Sequence, residues 1–435
     1  MAESTSPVRS TIGVLGSSWR AEVDAWGDVV PADPRETPWR WAVAADDRWH
    51  EGQGAVRRRR IDGAPVFETR VRVPSGDVVH TVWAATDRSG RAVVVMQFEN
   101  DSPLPVVVSS SRLDAVSSRP VAARVDVATG STDAGERLLV PIGHRSSVRL
   151  VSPAGWSGAP EEAAVPDRDS VVRGWCRIAE SAGRLVLPGG SGGTTLVDAV
   201  VAARVDALLD VGGLEAVEAL VSVDQRRRMG SSDGSDPAAR GIDPTQVVTW
   251  IEEVLSGRRR RWRPDRSHPA ARLALLAAER SLNDDVALGD LRRAVGAWRG
   301  GASSDVATAW GPPEPVTSWS PEVDDLVGLA RLEDRLVRDA GEGRVDLLPD
   351  GLPTAWLGQS IEVHGLPAGR GRTVSFALRW HGARPAVLWE VAGSPPSRLT
   401  CGVDREWWSS AAMGEALWAA PTGSPTAVDD TVSFS

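Results

Sequence analysis

Lysine and tyrosine are missing from all 435 residues, asparagine occurs only at Asn100 and Asn283, and four phenylalanines stand against nineteen tryptophans. Codons rich in A and T are avoided, which points to a GC-rich genome and makes part of the tryptophan count mutational in origin. Without a lysine amine, Schiff-base chemistry, Walker A phosphate binding and the kinase type of phosphoryl transfer are excluded. The two cysteines, Cys176 and Cys401, lie far apart. Neither a disulfide framework nor a CxxC zinc site follows from that spacing, and two buried, reduced thiols are expected. No apolar run approaches the ~18 residues of a membrane span, and the opening MAESTSPVRSTIGVL lacks the charged flank and apolar core of a signal peptide. A cytoplasmic protein without a membrane partner is the expectation.

What is present is ordinary globular composition, 42% hydrophobic and 25% charged, long enough for a sizeable core and about three domains. The net charge of −9 disfavours non-specific nucleic-acid binding by the whole molecule. Arginine is nonetheless clustered at 57–60, 226–228 and 258–266. In the last cluster Arg258, Arg259, Arg260, Arg261, Arg263 and Arg266 surround Trp262 at the end of an expected helix, the best anion-binding candidate in the chain. Positive charge at a helix C-terminus is also ordinary dipole complementation. No metal-binding or cofactor motif stands out, and none is assigned.

From Trp39 to Ser111 the chain reads as a β-meander, with turns at DG (Asp62, Gly63), PSGD, DRSG and ENDSP between segments that alternate apolar with polar. Arg57–Arg60 lie within one of its strands. Successive guanidiniums there point to opposite faces, so they are read as cross-strand partners for carboxylates such as Glu68. In the next strand Phe67, Thr69, Val71 and Val73 form the core-facing side. With further strands to about residue 152, a large antiparallel β-sandwich is expected over 1–152.

Beyond a Pro/Gly/Ala linker at 153–166 the period becomes helical. Helices are expected at 167–182 (stripe Val171, Trp175, Ile178), 195–210 (apolar nearly all round), 214–223, 243–257, 269–281, 284–299 and 321–340. Thr194 or Thr195 is the expected N-cap of the second and Ser320 that of the last. Together they predict a central α-helical hairpin domain over 153–341, with a polar, disordered stretch near 226–241. Strand patterns return for a small C-terminal β-domain at 342–421, followed by a disordered tail at 422–435. The fold class expected is α+β, in several domains.

Three clusters are candidate sites. Asp47, Trp49 and His50 end a strand, where they form either a stacking surface with hydroxyl acceptors or a solvated turn. Glu314 sits between Trp310 and Trp319 in a proline-rich run. A carboxyl desolvated by indoles is how a glycosidase general acid is made, and the same run also fits a stiff linker. Trp380 and His381 stand at a C-terminal hairpin.

A large β-sandwich, a helical domain and a small β-domain in that order, with DGAPVFETRVRVPSGDVV, ENDSPLPVVV and TVSFALRWHGARPAVLWE, resembles an actinobacterial family similar to glycosidases built on an (α/α) toroid, such as glycogen-debranching and amylo-glucosidase-like proteins. Seven expected helices against the twelve of a full ring make the toroid incomplete. The resemblance implies a carbohydrate-associated protein, either an active glycoside hydrolase or a catalytically degenerate one, with an oligo- or polysaccharide as partner. Glu314 with Asp47 or Glu362 would be the catalytic carboxyls, and Trp49, His50, Trp310, Trp319, Trp380 and His381 the sugar contacts. The alternative is a non-enzymatic interaction or regulatory protein that binds an anionic partner through the Arg258–Arg266 surface.

Overall fold

The meander folds as its alternation demands. In the computed structural model, which describes residues 10–45, 48–50, 56–121, 123–126, 136–191, 194–209, 216–231, 321–341, 343–369 and 371–421, the chain falls into two compact units. The first comprises residues 1–177 with 208–211, the second residues 178–207 with 212–435.

In the first unit β1 (Thr11–Gly13), β2 (Arg20–Val23) and β3 (Val29–Pro31) make a small antiparallel sheet. The strands that follow are β4 (Trp41–Ala45), β5 (Arg48–His50), β6 (Val56–Arg60), β7 (Val66–Val73), β8 (Gly76–Thr86), β9 (Ala92–Asn100) and β10 (Val106–Ser110). The unit's last strands are β11 (Val116–Ser117), β12 (Ala123–Asp126), β13 (Glu136–Ile142) and β14 (Ser146–Pro153). They form a five-stranded sheet, β12-β13-β10-β4-β5, and a six-stranded sheet, β11-β14-β9-β8-β7-β6. One apolar cluster draws Val43, Val108 and Ile142 from the first and Phe67, Val82, Phe98 and Leu150 from the second, so the two sheets are the leaves of a sandwich. The opposite face of the six-stranded sheet, with Trp83, Val93, Val95 and Val151, is buried as well. Burial on both faces is why AVVVM in β9 runs apolar instead of alternating.

Local chemistry sets the turns. Asp62 and Gly63 both have positive φ, 47° and 71°, the pairing that a tight hairpin between right-twisted strands needs. Arg59 meets Glu68 in register and binds it at 2.9 and 3.0 Å, as the strand reading of 57–60 expects. Asn100, fully buried at the end of β9, ties the ENDSP turn to β13. Its amide donates to Leu104 O (2.8 Å) and Ile142 O (3.2 Å), and its oxygen accepts from Ser102 N (2.9 Å). Asn100→Ala removes these bonds from a buried site, leaving Leu104 O only the 3.3 Å bond from Ser102 Oγ, and we expect it to cost roughly 2–4 kcal/mol. Its urea midpoint should fall with the m-value unchanged, whereas an unmoved midpoint contradicts the assignment.

The helical toroid-like domain expected in the centre is corrected. Strands predominate, and among the described residues there are four helices: α1 (Arg168–Glu180), α2 (Leu196–Leu209), α3 (Ala216–Arg228) and α4 (Leu326–Leu336). The segments at 184–186, 190–191, 194–195 and 337–341, read as helix or as linker within a helical domain, are instead β15 (Arg184–Val186), β16 (Gly190–Ser191), β17 (Thr194–Thr195) and β18 (Val337–Gly341). Apolar side chains with helical spacing report a buried face, and that face does not require a helical bundle around it. The helices expected within 243–299 lie outside the described residues.

Details of these helices differ from expectation in instructive ways. α1 buries Val172, Trp175 and Ala179, a stripe set one residue from the one expected at its first and last positions. α2 is buried almost all round, and Thr195 caps it through a reciprocal pair in which Asp198 N donates to Thr195 Oγ1 and Thr195 N to Asp198 Oδ2, both 3.0 Å. Ser320, the expected cap of the last helix, lies outside the described residues. Asp325 caps the described helix, accepting from Gly328 N at 2.6 Å, and the helix ends at Leu336 because Val337 turns extended into β18.

The second unit continues with β19 (Arg344–Leu347), β20 (Ile361–Pro367), β21 (Arg372–His381), β22 (Arg384–Gly393), β23 (Arg398–Cys401), β24 (Trp408–Ser409) and β25 (Met413–Leu417). Its larger sheet runs β15-β20-β21-β22-β25, its smaller one β18-β19-β23-β24, and β16 pairs with β17. In the larger sheet Val363, Phe376, Leu378, Val387 and Trp389 are buried while the alternate residues face outward. No helix among the described residues is long and apolar enough to cross a membrane.

Candidate functional site

The deepest concentration of surface indoles, carboxylates and guanidiniums in the first unit comes from connections, not from strands. PADPRETP after β3 contributes Asp33, Arg35 and Glu36, the segment after β10 contributes Arg112, and PAGWSG after β14 contributes Gly155 and Trp156. Together they line a cleft of about 370 Å³. That volume lies in the range of small-molecule sites.

Trp19 stacks on the buried Trp39 with ring centroids 6.0 Å apart, and its Nε1 donates to Glu36 Oε2 at 3.4 Å. Gly155 has φ +75° and lies so close to Trp19 that an added Cβ would sit 3.0 Å from Cδ1. Glycine is thus required both by the backbone and by the indole beside it. The Arg112 guanidinium lies 4.5 Å over Trp39 and is fixed by Asp114 (2.8 and 2.6 Å) and by Pro153 O (3.3 Å). Trp156 donates Nε1 to Ala92 O at 2.7 Å, and the Arg91 guanidinium covers it at 3.7 Å. Arg91 in turn is held by Asp87, and a second depression of about 290 Å³ lies there, lined by Asp87, Arg88, Ser89, Arg91, Ala159 and Glu161.

Two ion pairs flank the first cleft, while Glu36 is met by the Trp19 indole. Asp33 accepts from Arg35 Nε (2.9 Å) and NH2 (2.6 Å), and Arg112 is matched by Asp114. The hydrogen bond from Arg35 pulls the Asp33 carboxyl down to about 2, so it is a fixed acceptor and not a proton donor at neutral pH. Partly exposed indoles among paired charged groups can stack on an apolar ring face while presenting hydrogen-bond partners at its rim.

The residues singled out in the sequence lie elsewhere. Trp49 and His50 are half-buried in β5, at the edge of the five-stranded sheet, and burial, with Arg48 nearby, lowers the His50 pKa. Glu362 lies on β20 of the second unit, bonded to Arg379 and, at 3.3 Å, to His364. These two partners hold it below the ordinary carboxylate range. Trp380 donates Nε1 to Gln359 O at 2.8 Å, and His381 ends β21 in the open. Asp47, Glu314, Trp310, Trp319 and Arg258, Arg259, Arg260, Arg261, Arg263 and Arg266 lie outside the described residues. Neither cysteine forms a disulfide; Cys401 is buried as expected, whereas Cys176 is only half-buried and its Sγ donates to Asp62 O at 3.6 Å. Burial pushes the Cys401 thiol up to about 12, so it is not a nucleophile.

Arg226 and Arg228, read from sequence as a local basic patch, belong to a buried network in the second unit. Its centre is Glu333 on α4. This carboxylate binds Arg204 NH2 at 2.9 Å, Arg228 NH1 at 2.6 Å and Gln225 Nε2 at 3.2 Å, while Arg204 and Arg228 also donate to the carbonyls of Ala179, Gly183 and Ala182. Arg226 donates to Ala207 O at 3.3 Å. These arginines hold helices and the 179–183 turn together and are not offered to an anion.

Reading the sequence by strand and helix missed Trp19, Asp33, Glu36, Arg112 and Trp156 because connections were treated as spacers. The available signal was tryptophan and acidic residues inside Pro/Gly-rich segments, where neither helps to form a strand. The chain matches no protein-family model and no curated protein sequence.

Proposed function

We propose that this is a carbohydrate-associated protein whose first unit binds an oligo- or polysaccharide in the cleft of Asp33, Glu36, Arg112 and Trp156, with Trp19 packed beside it. The observation that carries the reading is the combination of indole surface with guanidiniums that are already paired, Arg35 by Asp33 and Arg112 by Asp114. A neutral polyol can use both, whereas a phosphate or nucleic acid would seek unpaired arginine. The Arg91–Trp156 stack joins the two depressions, which suits a chain of more than one sugar unit. The proposed compartment is the cytoplasm, where thiols that form no disulfide stay reduced.

Affinity electrophoresis through gels containing neutral polysaccharides tests this. Retardation should persist at about 0.5 M salt, where exposed charge interactions are screened. Trp156→Ala should weaken it about tenfold, the effect of losing ~1.4 kcal/mol of aromatic contact. Absence of retardation in every gel, or retention that salt abolishes, would sink the reading.

A further inference from the structure

The larger sheet of the second unit ends in β25, MGEAL, which has no strand beyond it among the described residues. Val391 N donates to Ala412 O (2.6 Å) and Trp418 N to Pro385 O (2.9 Å), which places even-numbered residues of this segment in the ladder with β22. The main-chain groups of Met413, Glu415 and Leu417 therefore turn outward. Leu417 O is taken by Arg384 NH2 at 3.0 Å; among the described residues the other five groups have no partner. β25 carries no proline, basic residue or bulge, and its one charged residue is Glu415 at its centre.

The outer face beside this edge is apolar and acidic. Met413 is 68% exposed, Leu388 56% and Leu417 46%. Glu415 faces Leu388 across the strands and Glu390 faces Met413, and neither carboxylate has an ion pair among the described residues. A strand added to β25 would set its side chains beside Met413, Glu415 and Leu417 in turn.

We propose that β25 docks an extended segment of a partner protein by strand addition, the segment carrying a basic residue between two apolar ones at alternate positions. Main-chain bonds supply the affinity and the Glu415–Glu390 carboxylates the selection. Other occupants match less well. A second copy paired about the centre of β25 would set one Glu415 against another, which is destabilising. The chain's own residues 422–435 contain Asp429 and Asp430 and no basic residue, so they repeat the charge of the edge.

The test uses the full chain and two fluorescein-labelled peptides, Thr-Val-Thr-Lys-Thr-Val-Thr and the same sequence with Glu in place of Lys, followed by anisotropy. The lysine peptide should bind at least tenfold more tightly than the glutamate peptide, and Glu415→Lys should reverse that order. Equal binding of both peptides, or no binding of either to the wild-type chain, overturns the proposal. So does a sedimentation experiment in which the wild-type chain dimerises and Glu415→Lys is monomeric, because the edge would then serve self-pairing. Should Glu415→Lys fail to fold, as judged by circular dichroism, the comparison of the two peptides on the wild-type chain decides alone.

Discussion

Glu333→Ala is expected to lower the melting transition of the second unit by roughly 6–20 °C. The substitution removes the one carboxylate that faces Arg204, Arg228 and Gln225 together. Arg204 and Glu333 are each about 1% exposed, so water cannot replace the lost partner. Breaking a buried ion pair from one side costs about 3–5 kcal/mol, and each kcal/mol moves the midpoint of a unit of this size by about 2–4 °C. Glu333→Gln keeps the shape and some hydrogen bonds but not the charge, and should fall between wild type and alanine. Calorimetry checks both, with the transition of the first unit as an internal reference. A Glu333→Ala transition within a degree of wild type would show that the network is not structural.

The second large effect is a pH dependence that wild type hides. His80 lies between Trp41 and Phe98, with ring centroids 4.6 and 4.7 Å away, and neither of its ring nitrogens has a hydrogen-bond partner. Burial pushes its pKa down to about 3. Between about pH 6.5 and 3 the unfolded chain therefore binds a proton that the folded chain refuses, and stability from this group is lost as pH falls. Asp28 acts oppositely. Burial, then the nearby Asp24, raises it to about 7 although Trp41 N donates to it at 3.2 Å. The folded chain keeps this proton down to the unfolded value near 4, so stability from Asp28 is present at low pH and is lost as pH rises towards 7.

Each group contributes a slope of about 1.4 kcal/mol per pH unit, and between about pH 4 and 6.5 the two cancel. Urea unfolding of wild type should thus be nearly level across that window as far as these groups go. His80→Phe should become more stable as pH falls from 6.5 to 4, by around 3 kcal/mol in all. Asp28→Asn should become less stable by a similar amount over the same interval. Parallel profiles for the two variants would contradict the account.

How much of this could be read in advance depends on whether a residue acts through the chain nearby or through distant partners. Arg59 and Glu68 were legible because period two and one hairpin turn bring them into register. Thr195 was legible because capping is local. Arg204 was not, since an arginine in a largely apolar helix becomes intelligible only when Glu333, 129 residues away, is seen to meet it. The toroid expectation failed for a related reason. Three- and four-residue spacing reports that a helix has a buried face but not what lies against it, and the sheet partner of β15 comes from β20, far along the chain. The cleft was hidden because its side chains come from three connections, each of which looks like a spacer when taken singly.

The saccharide-binding claim is tested most directly by the indole region of a ¹H–¹⁵N spectrum of the full chain, with tryptophans assigned by substitution, during titration with neutral oligosaccharides. The account predicts that the Nε1–H signals of Trp19 and Trp156 shift and saturate together while those of the buried Trp83 and Trp356 stay in place. Shifts at Trp49 or Trp380 with Trp19 and Trp156 unmoved, or no shift with any sugar, would contradict it.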